Sequence, residues 1–387
     1  MQVHFYIYQL SNRMFPTFTK TAEPRLSSCR KTLAPIYCEP RIAPLTIIAR
    51  AMPDEAPSTS SLFIGVDVGG TNVKIGAVDS ECNVICEGHF PTEQAKGPQH
   101  ALDRAALEVG KLLQSIGRSI DEAVACGLGT PGPMDIQAGT ILEPANLPGW
   151  RHYNVRDGLA AAIGLPVTYT NDANAAAYGE YWAGGGAEFT SMILITLGTG
   201  VGGGIIINGR WIDGAHSHGA EVGHIVIDTT EDARVCSCGM PGHLEAYTSA
   251  TALVARAEEM VATGVETSLA DLNEITALEV SNAAEAGDAV ASKLVMDTAE
   301  YLARGIATLA HVIDPEAVIL GGAMNFGAAE TELGRNFLQR IATGVSKWTF
   351  PTVAKNLTID FAKLESAAGW IGAAGISRAK YLENQAK

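Results

Sequence analysis

Positive charge is in short supply in this chain. Its 387 residues carry 27 Lys and Arg against 42 Asp and Glu, a formal net charge of −15. Such a surface repels phosphate backbones and anionic lipid, which excludes binding to nucleic acid or membrane by bulk charge. No uninterrupted apolar run is long enough to span a bilayer. The 7 cysteines are odd in number and scattered, so they do not form a disulfide framework. A reducing, cytoplasmic setting fits that usage. Also missing is a Gly-x-x-x-x-Gly-Lys-[Ser/Thr] signature, so phosphate binding would need a route other than the P-loop.

What is present describes a globular protein with a large core, at 47% hydrophobic and 18% charged residues. The length suits two domains with a cleft between them. The opening segment stands apart: Arg13, Lys20, Arg25, Arg30, Lys31, Arg41 and Arg50 face only Glu23 and Glu39 before residue 51. No helical or strand period runs through it. A transit peptide has this composition. The simpler reading is that translation starts at Met52, whose polar Pro-Asp-Glu-Ala-Pro-Ser-Thr-Ser-Ser tail leads into the first strand. Residues 1–60 are therefore expected to be a leader outside the fold.

Order begins at Leu62-Phe-Ile-Gly-Val-Asp67, an apolar run that reads as a buried strand, followed by a glycine turn and a returning strand over Lys74–Val78. Val84–Cys86 and Ala123–Leu128 read as further strands, with a helix over Ala101–Ile116 stopped by Gly117. Pro166–Thr170 reads as a strand ending at Asn171-Asp172, where a small-residue helix starts. The opening logic then repeats: strand Ser191–Leu197, glycine turn Gly198–Gly204, strand Ile205–Ile207. A helix follows, with its inner face at Ala291, Leu294, Thr298, Leu302, Gly305, Leu309 and Val312, and then a late strand over Ala317–Leu320. The repetition predicts a duplicated α/β architecture with its boundary near residues 175–190. The expected division is 61–178, 179–365 and a C-terminal helix over 366–387 returning to the first unit.

Glycine turns between strands present backbone N–H groups with no side chain in the way, a nest for phosphate oxygens. Gly69-Gly70-Thr71 and Gly198-Thr199-Gly200 are two such turns, each with a threonine. One alone reads as a tight hairpin, but the pair suggests phosphate held from two sides of a cleft. Asp67, at the end of the first strand, is placed to hold Mg²⁺ through water. Asp172 at a strand-to-helix junction is either a ligand-facing carboxylate or a helix N-cap, and its position alone does not decide. His224, Cys236, Cys238 and His243 supply two imidazoles and two thiolates, a full tetrahedral set for a structural zinc. Cys-x-Cys by itself also fits plain loop thiols.

Asp67-Val-Gly-Gly-Thr71, Asn171-Asp172, Leu197-Gly-Thr-Gly200, Glu221-Val-Gly-His224, Cys236-Ser-Cys-Gly-Met-Pro-Gly-His-Leu-Glu245 and Leu320-Gly-Gly322 together resemble the ROK family of repressors, open reading frames and kinases. The resemblance runs from Leu62 to the end. It implies an actin-like, ribonuclease-H-like two-domain fold and, for the family's enzymes, ATP-dependent phosphorylation of hexoses at the 6-hydroxyl. On it, Asp172 is the base, and Asn171, Glu221, His224, Glu245 and Gly132 hold the sugar. Lys74, Gly321 and Gly322 join Asp67 and the two turns, Gly69 to Thr71 and Gly198 to Gly200, around ATP and Mg²⁺. The metal loop would carry sugar ligands and no phosphate turn, so zinc is expected to support sugar affinity more than ATP affinity. Two departures are visible: His243 replaces the family's last cysteine, and Ala220 stands where a glycine is often found. Glucose is the expected hexose, with N-acetylmannosamine, fructose and allose as rivals and polyphosphate as a rival donor. A homodimer or larger homo-oligomer is expected. The family's sugar-responsive repressors carry an N-terminal helix-turn-helix, for which residues 1–60 show no periodicity. A catalytically silent sugar sensor is disfavoured by the intact Asp172 and glycine turns.

Overall fold

Every residue of Leu62–Val68 (β1) except Asp67 is buried, as a strand covered on both faces requires. The computed structural model describes residues 61–387, and the expected leader lies outside the described residues. After β1 come Asn72–Val78 (β2), Val84–Pro91 (β3), Pro98–Ser115 (α1) and Ala123–Thr130 (β4). Three two-residue strands follow, Met134–Asp135 (β5), Thr140–Ile141 (β6) and Tyr153–Asn154 (β7), then Val155–Ile163 (α2), Val167–Asn171 (β8) and Asp172–Ala183 (α3). The second series runs Met192–Leu197 (β9), Val201–Ile207 (β10), Arg210–Trp211 (β11), Glu245–Thr248 (α4), Ala250–Ala262 (α5), Ala277–Glu285 (α6) and Ala289–Ile313 (α7). It ends with Ala317–Gly321 (β12), Glu332–Trp348 (α8), Pro351–Asn356 (α9), Thr358–Phe361 (β13) and Ala368–Gln385 (α10).

The two sheets share one plan. Strand order is β3-β2-β1-β4-β8 in the first and β11-β10-β9-β12-β13 in the second. In each, the opening strand pairs antiparallel with the returning strand and parallel with the next. This is the duplicated, actin-like α/β architecture. Each sheet has its own core, with Ile64, Leu102, Leu113 and Trp150 in one and Ile195, Leu302, Ile306 and Phe337 in the other. Burying such side chains contributes roughly 1.5–3 kcal/mol each.

Helix α7 shows how local sequence sets an element. Asp288 caps it by accepting the N–H groups of Val290 and Ala291 at 2.9 Å each. Leu294, Thr298, Leu302, Gly305 and Leu309 face inward as their spacing predicts. Val312 does not: it is 74% exposed, while Ala310 is buried and Ile313 packs against the core in its place. The helix before Gly117 starts earlier than its apolar spacing suggested, since Pro98 fits a first turn where its missing N–H costs nothing.

Helix α10 lies against β1, β4 and α3 with backbone touching backbone. A Cβ at Gly65 would overlap the Trp370 carbonyl, one at Gly127 the Ala373 carbonyl, and one at Gly372 the Ala175 carbonyl. Only hydrogen fits at these positions. Gly372→Ala is expected to cost about 1–3 kcal/mol by overpacking, read as a lowered Tm in thermal unfolding. An unchanged Tm would show that α10 and α3 are not in that contact.

Candidate functional site

The first glycine turn follows from the register of its hairpin. Val68 pairs with Val73, leaving Gly69 to Asn72 as the loop. Gly69 N–H donates to the Asn72 carbonyl at 2.9 Å, and the Thr92 hydroxyl donates to the Gly69 carbonyl at 2.7 Å. The Gln94 side-chain amide donates to the Gly70 carbonyl, and Asn146 packs over Gly70. Lys74 does not point into the loop; its ammonium donates to the Ser366 carbonyl at 2.9 Å.

The second turn is held from one direction. Ala250 N–H donates to the Gly198 carbonyl and the Thr251 hydroxyl to the Thr199 carbonyl, both at 2.8 Å. Glu245 accepts the Val201 N–H at 2.9 Å. Gly322, at φ 91, packs against Leu197 so tightly that a Cβ would overlap its main chain. The structure therefore brings Gly198–Gly200, Gly321–Gly322 and Glu245 together.

Asn171, not Asp172, caps α3: its side-chain oxygen accepts the Ala173 and Asn174 N–H groups at 2.9 and 3.3 Å. Its amide nitrogen lies beside Gly132. Asp67 and Asp172 flank Gly129, and Asp67 fills the space that a side chain at Gly369 would take. Burial first, then the neighbouring Asp172 charge, pushes the Asp67 carboxyl up to about 7 against the opposing pull of Lys74. Burial likewise raises Asp172; the Ala173 N–H works against that rise and the Glu221 charge adds to it. Two carboxyls raised in this way, one of them by the other's charge, favour a cation or a proton nearby, and oxygen donors of this kind suit Mg²⁺.

Sulfur and nitrogen donors converge in the loop before α4. His224, Cys236, Cys238 and His243 bring their ligand atoms within 4.8 Å of one another. Nδ1 of His224 stands 3.3 Å from Nδ1 of His243 and 3.7 Å from Cys236 Sγ, while Cys238 Sγ is 3.2 Å from His243 Nδ1. Donor separations of this size match the edges of a tetrahedron whose centre is about 2.0–2.3 Å from each nitrogen and sulfur. His243 therefore fits the place of the missing cysteine. Gly239 and Gly242, at φ 88 and 79, let the loop fold back on itself. Glu245 leans on this loop too, accepting the Ser237 hydroxyl at 2.5 Å. Ala220, just before Glu221, sits at φ 64, which explains why glycine is at home there.

Sequence reasoning missed Thr92, Gln94, Thr251, Ser366 and Gly369. Each acts through a neighbour distant in the chain, and no spacing announces it.

A duplicated actin-like fold with a glycine turn after the opening strand of each sheet, and two acids flanking Gly129, defines a class, and comparison with known proteins gives the family. The ROK family model matches residues 63–380; the chain belongs to the ROK family. A glucokinase of Halalkalibacterium halodurans is 36% identical over 314 residues, 80% of this chain and 93% of that protein. A ROK glucokinase of Streptomyces griseus, solved with glucose and AMPPNP, is 35% identical, has a TM-score of 0.67 and is covered completely by 82% of this chain. A xylose repressor of Caldicellulosiruptor bescii is 30% identical over 80% of this chain and 76% of its own length. The two glucokinases support sugar-kinase activity, and the family also contains repressors. No helix among the described residues is long and apolar enough to cross a membrane.

Asp67 makes a pH prediction. Its folded pKa exceeds the ordinary value, so the folded chain holds the proton more tightly and loses stability as pH rises from about 4 to about 7. Without divalent cations, Asp67→Asn is expected to raise Tm at pH 8 and to do less at pH 5. Equal shifts at both values would mean that Asp67 ionises normally.

Proposed function

We propose that this chain transfers the γ-phosphoryl group of ATP to the 6-hydroxyl of glucose. The cleft would lie between residues 61–178, completed by 366–387, and residues 179–365. The observation that carries the reading is Asp172: Asn171 caps the helix, the Asp172 carboxylate shares the Ala173 N–H through one oxygen at 2.8 Å, and burial and Glu221 raise its affinity for a proton. In this role Asp172 accepts the proton of the 6-hydroxyl as that oxygen meets the γ-phosphorus. Because bond making lags bond breaking in a loose transition state, orientation contributes more than basicity.

The other groups follow by chemistry. The Asn171 amide, Glu221, His224 Nε2 and Glu245, beside Gly132, suit sugar hydroxyls, since charged acceptors make the stronger hydrogen bonds. The N–H groups of the two glycine turns suit phosphate oxygens, and Asp67 would hold Mg²⁺, which neutralises phosphate charge when bound. His224 Nδ1, His243 Nδ1, Cys236 and Cys238 would hold a structural zinc, leaving His224 Nε2 to a sugar hydroxyl. An ATP-using reaction and reduced thiols both suit the cytoplasm.

One expectation changes. The metal loop leads directly into residues 245–251, and Glu245, Ala250 and Thr251 are the groups that hold the second glycine turn. The loop therefore supports the nucleotide side as well as the sugar side. Purified protein is expected to contain about one zinc per chain. Cys238→Ser should raise KM for glucose and for ATP together, and His243→Cys should keep the metal. Elemental analysis finding no zinc in active protein would leave the cysteines as plain thiols.

Asp172→Asn is expected to lower kcat by about two to four orders of magnitude while glucose still binds. A variant keeping a tenth of wild-type kcat removes Asp172 from the mechanism. The wider test is ADP release over glucose, N-acetylmannosamine, fructose and allose, with ATP or polyphosphate as donor. The likeness to a repressor favours a second reading, sugar sensing without turnover, which predicts sugar binding but no ADP release with any sugar on that panel.

A further inference from the structure

Glu180, near the end of α3, is a fully buried carboxylate. Its hydrogen bonds come from the main chain: Gly185 N–H reaches Oε2 at 2.7 Å, and Leu364 N–H reaches Oε1 at 2.7 Å. Lys363 N–H is shared between both oxygens at 3.1 Å. A buried carboxyl group is costly unless several donors satisfy it. Here the donors belong to two segments far apart in sequence.

Those segments are the two places where the chain passes between the sheets. Residues 184–191 run from α3 into β9, and residues 362–367 run from β13 back to α10. Among the described residues there is no other crossing. Gly184, Gly185 and Gly186 form the first; a Cβ at Gly184 would overlap the Glu180 carboxylate, and one at Gly186 would overlap the Met192 sulfur. The second crossing continues from Leu364 to Ser366, whose carbonyl holds the Lys74 ammonium, and Lys74 bears on Asp67.

We propose that Glu180 is the pivot of cleft closure, a positioning residue that keeps both crossings in step and, through Ser366 and Lys74, sets Asp67. The proposal rests on the phosphotransferase reading above. A carboxylate suits the task because its two oxygens offer several acceptor directions. The three N–H groups can therefore shift around it without losing their partner, and the glycines let the first crossing pass against Glu180 and Met192 where no side chain fits. Hinges of this kind take up the change of a few main-chain angles while the packed units move as bodies.

The test is Glu180→Gln in the full chain, with Glu180→Asp beside it should the glutamine variant fold poorly. Glutamine keeps the size but replaces one acceptor with a donor facing N–H groups. Amide hydrogen exchange is expected to speed up at least tenfold at Gly185, Lys363 and Leu364 together, with the β1 and β9 amides unchanged. With glucose and ATP, kcat should fall and KM for glucose rise together, about tenfold in kcat/KM or more. Small-angle scattering is expected to show the wild-type chain contracting on addition of glucose and Glu180→Gln contracting less, and Glu180→Asp should recover part of each effect. Exchange that is unchanged, or faster at one crossing only, overturns the proposal, as does normal turnover in a chain whose crossings have loosened. A failure of the phosphotransferase reading shows separately, as wild-type chain that releases no ADP with any hexose. That result removes the catalytic half of the proposal, and the exchange data still decide whether Glu180 joins the crossings.

Discussion

Helix α10 approaches β1, β4 and α3 until only glycine hydrogens separate the backbones, and most of the site's geometry depends on that approach. Helix α3 carries Asp172 at its first residue and Glu180 near its last. The start of α10 sets Gly369 against Asp67. A closely packed pair of helices has no loose side chains to absorb an error in position, so the acids at its ends are fixed by main-chain contact. Gly65, Gly127, Gly179 and Gly372 are thus part of the site without facing any ligand.

That rigidity has an electrostatic counterpart. Asp67 and Asp172 sit where burial, joined by the charge of Asp172 on Asp67 and of Glu221 on Asp172, makes ionisation unfavourable. A fold selected for stability alone would place apolar or amide side chains there. Holding both acids near each other stores a free energy that a cation or a transferred proton can release. Glu180 contrasts with them. It is more deeply buried than either, and both of its oxygens accept main-chain N–H groups. In the reading proposed above the first two acids serve chemistry and the third architecture, and the number of main-chain donors around each tells them apart.

The parts of the fold legible in the sequence were those written in short, continuous signals. Leu62–Val68 and Met192–Leu197 are apolar runs beside glycines, and the repeated strand–turn–strand pattern exposed the duplication. The candidate site was legible where its residues cluster in motifs, as around Asn171-Asp172 and Cys236-Ser-Cys238. It was not legible where contacts are long-range. Lys74 reads as one more cation near a phosphate turn, yet its ammonium is committed to Ser366, 292 residues away. The choice between cap and spare carboxylate at Asp172 could not be made from position, because Asn171 and Asp172 are both good caps, and three-dimensional geometry gives the cap to Asn171. The strands of the β5–β7 sheet are two residues each, too short for any period to show.

The loop from Cys236 to Thr251 joins the two halves of the proposed chemistry. Sequence spacing presented it as a metal loop followed by a carboxylate. In the fold, Ser237 and Val201 hold the two oxygens of Glu245, and Ala250 and Thr251 hold the carbonyls of the second glycine turn. A donor set that fixes Cys236 and Cys238 therefore fixes Ser237 between them, then Glu245, then the turn. Hydrogen bonds pull Glu245 below the usual carboxylate range even though burial pushes the other way, so it stays ionised and acts as a firm anchor. Sugar-side and phosphate-side groups that share one rigid segment cannot shift independently, and a site that must align a hydroxyl with a phosphorus gains from that coupling. Rigidity at this loop and freedom at the Glu180 crossings are complementary. Each half keeps its own ligands fixed, and the adjustment between halves is left to the two short segments that cross between them.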